Sequence, residues 1–120
     1  VVVGGGRGTD GDYAALEDLR DAVPNAALGA SRAAVNEGWR PHDDQIGQTG
    51  AKIAPEVYIP AGISGAVQHM VGCKGAENIL AINTDPEAAI IQKADYAVIA
   101  DLHEVAPAVA EELDARGHSE

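Results

Sequence analysis

EVYIPAGISGAVQHMVG, residues 56–72, contains the pattern that decides the fold class. A short apolar run, VYIP, ends at a glycine, and a stretch with helical spacing begins after a second glycine. A buried strand that turns through glycines into a helix is the repeating unit of a parallel α/β sheet. We therefore predict a strand in EVYIPAG and a short helix in SGAVQHMVG, with Ser64 as its N-cap and Gly72 as its stop.

The same alternation continues on both sides of this unit. Apolar runs predict further strands in VVVGG, PNAALGAS, NILAINT and DYAVIAD. Helical spacing predicts helices in DYAALEDLRDAV, SRAAVNEGW, DPEAAIIQKA and PAVAEELDARG. Ser31 is the predicted N-cap of the second helix, and Asp85 that of the third, which has Pro86 at its first position. Pro107 lies near the start of the fourth. RPHDDQIGQTGAK has no period and predicts a loop. This order predicts an α/β fold with a Rossmann-like, doubly wound parallel sheet.

Length and composition limit the classes of function. A chain of 120 residues predicts a single domain. The formal net charge of −11 disfavours nucleic acid and anionic membranes as partners, and no apolar run is long enough to predict insertion into a membrane. The acidic balance is compatible with a salt-rich cytoplasm as well as with an ordinary one. Cys73 is the only cysteine, which excludes an internal disulfide and a thiol cluster for a metal.

The predicted strands end in segments that suit a ligand site. Doubly wound sheets bind ligands beyond the carboxyl ends of their strands, and these ends carry glycine or short polar groups in GGGRG, GASR, PAGISG, INTD and ADL. Gly62 and Gly65 either open backbone N–H groups to a phosphate or serve only turn and packing. Arg7 either binds phosphate or is a plain surface residue. His69, in the first turns of its helix, either meets a ligand or is a structural hydrogen-bonding group.

Several familiar motifs are missing from these segments. The glycines do not match G-x-G-x-x-G, because Thr9 stands where the third glycine is required. No Walker A lysine, H-E-x-x-H or G-x-S-x-G motif occurs. Hydrolase and metalloenzyme functions therefore have no support.

Four segments carry a family resemblance. GASRAAVNEGW, QIGQTG, YIPAGISGAVQH and AINTDPEAAI…ADYAVIADL resemble, in order and spacing, the C-terminal FAD-binding domain of the electron transfer flavoprotein alpha subunit, which has a DHS-like NAD/FAD-binding fold. The resemblance covers essentially the whole chain. It implies that residues 1–120 are this domain, and the abrupt start on a strand predicts that the family's N-terminal domain lies outside this chain.

The resemblance implies that FAD lies across the strand ends. Arg7 matches the arginine near the pyrophosphate, Ser31 and Arg32 match the pair beside the flavin ring, and the Thr49 hydroxyl matches the group that bonds the ring edge near N5. The segment 64–69 matches the part that holds phosphates and reaches back to the ring, and two further groups match the ADP portion. The complete implied set is Arg7, Ser31, Arg32, Ile46, Gly47, Gln48, Thr49, Ser64, Gly65, Ala66, Val67, Gln68, His69, Asn83 and Asp101.

The implied function is electron transport without catalysis by side chains. Electrons would come from flavoprotein dehydrogenases, such as the acyl-CoA dehydrogenases of fatty acid oxidation, and go to an acceptor oxidoreductase. The implied partner is the beta subunit, and the implied location is the bacterial cytoplasm or the mitochondrial matrix. Arg32, helped by Thr49 and His69, would raise the first reduction potential of the flavin. Two alternatives remain open: a non-redox nucleotide-binding or assembly module with AMP, NAD or no ligand, and an NAD-dependent enzyme, for which no catalytic residue is apparent.

Overall fold

Five parallel strands form one sheet in the computed structural model of the chain. The structure describes residues 1–23, 25–47, 53 and 55–115, without the side chains of 112–115. The strands are β1 (Val2–Gly5), β2 (Ala27–Ala30), β3 (Val57–Ala61), β4 (Asn78–Asn83) and β5 (Tyr96–Ile99), in the order β2-β1-β3-β4-β5. All neighbouring strands pair in parallel.

Helices follow the strands along the chain. They are α1 (Ala14–Ala22), α2 (Arg32–Asn36), α3 (Val67–Cys73), α4 (Ala89–Lys93) and α5 (Leu102–Ala115), and 3-10 turns lie at Arg7–Thr9 and His42–Asp44. In α1, Ala15, Leu16 and Leu19 are buried, as the predicted spacing requires.

The sheet is covered by apolar groups on both faces. Successive residues of a strand point to opposite faces, so Tyr58 and Ile59 in β3 belong to different cores. The first core joins the sheet to α1 and α5 through Val3, Leu16, Leu19, Ile59, Ala61, Ile82, Leu102 and Ala106. The opposite face carries two clusters, one of Tyr58, Ile46 and Cys73 and one of Ile63, Ala81 and Ile90. This arrangement confirms the predicted doubly wound α/β fold.

The start of α3 differs from the prediction. Ser64 is not its N-cap, because the Ser64 carbonyl accepts the Ile90 N–H at 3.0 Å and Gly65 has φ of +88°. The loop is thus bonded to α4, and the helix begins only at Val67. Gly72 lies inside α3 and is not its stop: a Cβ at Gly72 would collide with the backbone of Gly47, so the glycine permits a close approach.

The starts of α4 and α5 also differ from the prediction. Asp85 accepts the Glu87 N–H at 2.9 Å in a tight turn, and α4 begins later, at Ala89. The N-cap of α5 is Asp101, whose side chain accepts the His103 N–H at 2.9 Å. Pro107 therefore lies inside α5, where it is tolerated although it supplies no N–H to the helix.

The segment predicted to be a loop returns to the sheet. The Ile46 N–H donates to the Ala30 carbonyl at 2.9 Å, and Gln45 forms a parallel bridge with Ala30. Arg40 and Asp44 form an ion pair at 2.7 Å within this segment. These contacts place Gln45, Ile46 and Gly47 beside the carboxyl end of β2.

Candidate functional site

A pocket of about 470 Å³ lies at the carboxyl ends of the strands. Every strand contributes to its lining through its last residue or the segment that follows it, for example with Arg7, Ser31, Ser64, Asn83 and Asp101. The strand order reverses between β1 and β3, so the chains that leave these two strands diverge and open a crevice. The volume is within the usual range for small-molecule and cofactor sites.

Two arginine side chains at the pocket lack carboxylate partners among the described residues. Arg7, in the turn after β1, and Arg32, at the first position of α2, both line the pocket and are exposed. The ion pairs in the described part of the chain are made by Arg20 and Arg40 instead. The guanidinium groups of Arg7 and Arg32 are therefore available for an anion such as a phosphate.

Ser31 positions Arg32 at the pocket. The Ser31 N–H donates to the Gly5 carbonyl at 2.9 Å, which joins the start of α2 to the end of β1. The Ser31 hydroxyl accepts the Ala34 N–H at 3.3 Å, as expected of an N-cap. The predicted cap is confirmed, and it fixes the first turn of α2 in the pocket wall.

Glycines bring the loops after β1 and β3 into contact. The Gly8 N–H donates to the Gly62 carbonyl at 3.0 Å, and a Cβ at Gly62, which has φ of +68°, would lie 2.8 Å from the Gly8 Cα. At Gly65 a Cβ would lie 2.5 Å from the Ile90 nitrogen. The packing role that the sequence left open thus applies to both Gly62 and Gly65.

His69 is a buried polar side chain in the pocket lining. It is only 6% exposed, and its Nε2 lies 2.6 Å from the Tyr58 hydroxyl. Its Nδ1 is buried and has no partner among the described residues. Burial lowers the pKa of His69 to about 4. The imidazole is therefore neutral at pH 7, with one nitrogen left for a ligand.

Asn83 and Asp101 line the pocket and also hold its walls. The Asn83 amide nitrogen donates to the Ile63 carbonyl at 2.9 Å, and its amide oxygen accepts the Asp85 N–H at 2.9 Å. Asn83 thus links the loops after β3 and β4. Asp101 caps α5, so each of these side chains already has a structural role.

The pocket brings together most of the cofactor contacts implied by the sequence. Those in its lining are Arg7, Ser31, Arg32, Ile46, Gly47, Ser64, Ala66, Gln68, His69, Asn83 and Asp101. Gly65 and Val67 are not among the lining residues, and the Val67 side chain is 70% exposed. Gln48 and Thr49 lie outside the described residues.

Sequence reasoning missed several residues in and beneath the pocket, Tyr58 and Gln45 among them. Tyr58, fully buried in β3, contacts His69 from the sheet side, and Gln45, 4% exposed, lines the pocket. A signal for Tyr58 was available, because a hydroxyl in a buried strand requires a hydrogen-bond partner. Gln45 gave no signal, because it falls in a segment without periodicity.

The described part of the chain has neither a cluster suited to a metal ion nor a helix suited to a membrane. Its His, Cys, Asp and Glu side chains form no group of three or more that could hold a metal ion. None of its helices combines the length and the apolar character needed to cross a membrane.

Sequence comparison identifies close relatives of this chain. Residues 1–74 match the family model described as "Electron transfer flavoprotein FAD-binding domain". The electron transfer flavoprotein subunit alpha of Paracoccus denitrificans is 52% identical over 108 residues, which cover 88% of this chain and 35% of the relative. The subunit alpha of Mycobacterium tuberculosis (strain CDC 1551 / Oshkosh) is 47% identical over 118 residues, which cover 97% of this chain and 37% of the relative.

These relatives indicate the family of the chain, and a solved structure indicates its fold. The chain spans little more than a third of the length of these two relatives. Both come from bacteria and lend no support to a salt-rich or mitochondrial location. The solved structure of the Escherichia coli CFT073 protein c3406, in complex with a ligand, matches this chain with a TM-score of 0.56 and 14% sequence identity. The match covers 99% of this chain and 71% of the c3406 chain. At this identity the likeness shows the fold alone. By the family model and by these identities, the chain belongs to the electron transfer flavoprotein FAD-binding domain family.

Proposed function

We propose that this chain binds FAD in the pocket at the strand ends and serves as the C-terminal domain of an electron transfer flavoprotein alpha subunit. One observation carries the proposal: the same pocket contains two arginines without carboxylate partners and a buried imidazole nitrogen without a hydrogen-bond partner, as far as the described residues extend. Family membership supports the choice of cofactor. The longer relatives support the assignment of residues 1–120 as one domain of a larger subunit.

The described residues fit the chemical groups of a flavin dinucleotide. Its pyrophosphate needs cations or N–H donors, and the guanidinium group of Arg7 supplies a cation for it. Its ring system needs apolar walls with a few polar contacts, which Ile46 and Ile63 supply beside the imidazole of His69. Because the His69 Nδ1 has no partner in the chain as described, a ligand atom can satisfy it.

In this proposal the cofactor contacts divide along the crevice. Arg7 binds near the pyrophosphate, while Ser31 and Arg32 lie beside the flavin ring. The segment 46–49, with the Thr49 hydroxyl, contacts the ring edge. The segment 64–69 reaches from the phosphates to the ring, and Asn83 and Asp101 line the ADP portion.

The side chains tune the redox chemistry and do not perform it. FAD, when bound, supplies that chemistry by accepting and releasing electrons one at a time. Arg32 contributes a fixed positive charge, which favours a cofactor that has gained negative charge. His69 contributes a neutral hydrogen-bonding group, because burial lowers its pKa to about 4. Because the cofactor supplies the redox chemistry, no side chain has to act as a nucleophile, and the protein serves as an electron carrier.

We place the carrier between two kinds of partner. Flavoprotein dehydrogenases, such as acyl-CoA dehydrogenases, donate electrons, and an acceptor oxidoreductase removes them. An electron transfer flavoprotein beta subunit completes the heterodimer. The support for this arrangement is that the relatives are named as alpha subunits.

Titration of the full-length, cofactor-free protein with FAD, in its assembled form, tests the proposal. We expect saturable binding at one site per alpha subunit, a flavin absorption spectrum, and much weaker binding of AMP or NAD. The Arg32→Ala variant should lose affinity for FAD on the order of tenfold, which is the cost of one hydrogen bond to a charged group. Arg20→Ala, whose arginine pairs with Asp21 on α1, is the matched control.

Two results would overturn the proposal. Failure of the assembled protein to bind FAD would remove it directly. Binding of AMP or NAD as tight as that of FAD would favour the nucleotide module without redox function. An unchanged affinity in Arg32→Ala would remove the role assigned to that guanidinium group.

A further inference from the structure

The hydroxyl of Tyr58 and the ring of His69 form a buried pair beneath the pocket. Tyr58 is completely buried in the middle of β3, and its hydroxyl oxygen lies 2.6 Å from the His69 Nε2. The two rings are 5.9 Å apart between centroids, with 27° between their planes. The short distance indicates a hydrogen bond, and the direction of that bond determines which His69 nitrogen carries the hydrogen.

Both groups are neutral at pH 7. Burial raises the pKa of the Tyr58 hydroxyl well above its usual value, and burial lowers the pKa of His69. Tyr58 therefore keeps one O–H hydrogen, and His69 keeps one N–H hydrogen. The pair has two tautomeric arrangements, which differ in the number of buried groups that they leave without partners.

The first arrangement satisfies the Tyr58 hydrogen. The hydroxyl donates to the lone pair of Nε2, and the N–H hydrogen of His69 resides on Nδ1. Within the described part of the chain, the Nδ1–H group is then the one hydrogen of the pair without a partner. In the second arrangement Nε2–H donates to the Tyr58 oxygen, so the hydroxyl hydrogen has no acceptor among the described residues and Nδ1 presents a bare lone pair. Because each buried unsatisfied group costs about 1–3 kcal/mol, the first arrangement is favoured.

The packing around Tyr58 holds the hydroxyl in place. A Cβ at Gly4 would lie 2.6 Å from the Tyr58 hydroxyl oxygen, so only glycine leaves room for it on β1. On the side of α3, a Cβ at Gly47 would lie 3.1 Å from the Gln68 carbonyl and 3.5 Å from the His69 Cα. Neighbours on both sides thus fix the two rings relative to each other.

We propose that Tyr58 is a positioning residue that donates a hydrogen bond to Nε2 of His69 and thereby holds His69 as the Nδ1–H tautomer, with an N–H donor available to the ligand. The consequence is selectivity for an acceptor atom, such as a carbonyl oxygen or an unprotonated ring nitrogen, at this position of the pocket. The tautomer follows from the protein alone, whereas the contact with FAD rests on the proposed function.

The test measures the tautomer directly. Histidine labelled with nitrogen-15 is incorporated into the full-length protein without cofactor, and proton–nitrogen correlation spectra distinguish a protonated from a bare ring nitrogen. His69→Gln assigns the His69 signals. We expect wild-type His69 to show protonated Nδ1 and bare Nε2. Tyr58→Phe should convert this pattern to a mixture of both tautomers.

Tyr13→Phe is the matched control for the loss of a buried hydroxyl. The Tyr13 hydroxyl donates to the Gly5 carbonyl at 2.8 Å and does not contact His69. This variant should keep the wild-type His69 pattern. If Tyr58→Phe does not fold, Gly4→Ala displaces the hydroxyl by contact instead and should produce the same mixture of tautomers.

Affinity for FAD provides a second readout. Tyr58→Phe should weaken FAD binding about three- to tenfold, the effect of losing one neutral hydrogen bond, while Tyr13→Phe leaves it unchanged. Protonated Nε2 in the wild type, or an unchanged His69 pattern in Tyr58→Phe and Gly4→Ala, would overturn the inference. A wild-type protein with the expected tautomer but without FAD binding would instead overturn the proposed function and leave the role of Tyr58 standing.

Discussion

Arg32 depends on its neighbours for its place in the pocket. Ser31 caps α2 and bonds to the end of β1, so the guanidinium group projects from a fixed helical turn. Among the described residues no carboxylate pairs with it. A charge that is positioned but not neutralised can act on a bound ligand.

Arg32→Ala should lower the potential at which the bound flavin accepts its first electron. The reason is the loss of a positive charge that favours the reduced, more negative cofactor. A loss of ~1 kcal/mol corresponds to ~43 mV for one electron, so we expect a decrease of tens of millivolts. Spectroelectrochemistry of the assembled protein measures the shift, with Arg20→Ala as the control that should leave the potential unaltered. An unshifted potential in Arg32→Ala would contradict this electrostatic role.

His69 should make the stability of the cofactor-free protein depend on pH. Its pKa is about 4 in the folded state against the ordinary 6.5, so between these values the unfolded chain binds more protons. The contribution of neutral, buried His69 to the free energy of unfolding is therefore complete above about pH 6.5 and declines as the pH falls toward 4. The loss amounts to about 2 kcal/mol by pH 5.

Urea denaturation at pH 7.5 and pH 5 measures this dependence. The decline in the free energy of unfolding should be smaller by about 2 kcal/mol in His69→Gln. His42→Gln, at an exposed position, is the matched control and should keep the wild-type decline. Equal declines in wild type and His69→Gln would show that His69 is not the group that titrates.

At the scale of elements, the loops between strands and helices determine where α3 and α4 begin. Gly65 adopts φ of +88°, and the Ser64 carbonyl is bonded to Ile90 at the start of α4. The same backbone path directs the chain toward Ala66, Gln68 and His69 in the pocket. Gly62 and Gly65, the two glycines of the loop after β3, thus act through backbone conformation and close packing.

Gly65→Ala should be strongly destabilising. The new Cβ would require an unfavourable positive φ and would lie 2.5 Å from the Ile90 nitrogen. We expect a loss of about 2–4 kcal/mol in the free energy of unfolding, as strain and overpacking add. Gly38→Ala is the matched control, because Gly38 has φ of +80° and nothing within 4 Å of an added Cβ. It should cost only about 1 kcal/mol. Similar losses in the two variants, from urea denaturation, would exclude a packing role for Gly65.

At the scale of the whole molecule, the sheet gathers the site from distant parts of the chain. Arg7 and Asp101 lie almost at opposite ends of the described sequence, yet both line the same pocket. The two-sided cores hold five strand ends in register, and the reversal of strand order between β1 and β3 opens the crevice among them. The net charge of −11 leaves Arg7 and Arg32 as local cations in an acidic protein, which suits a single anionic ligand better than a polyanion.

The pattern of the sequence predicted the elements and the end of the sheet at which the pocket lies. Apolar runs of four to six residues predict strands, and β1 to β5 all appear where these runs lie, including the edge strand β5, which is largely exposed. Ser31 could be predicted as a cap because capping is a local interaction over three residues. The motif resemblance predicted the family, which the family model confirms.

Tertiary structure alone decided the features that depend on distant partners. The helix α3 begins only at Val67, because the Ser64 carbonyl before it is bonded to Ile90 on another element. The contact of Tyr58 with His69 arises because α3 packs on the face of the sheet where Tyr58 and Cys73 share a cluster, and periodicity does not encode this packing. The pKa of His69 follows from burial, which only the assembled fold establishes. Local chemistry therefore determined which elements form, and the packing of those elements determined which of their polar groups line the pocket.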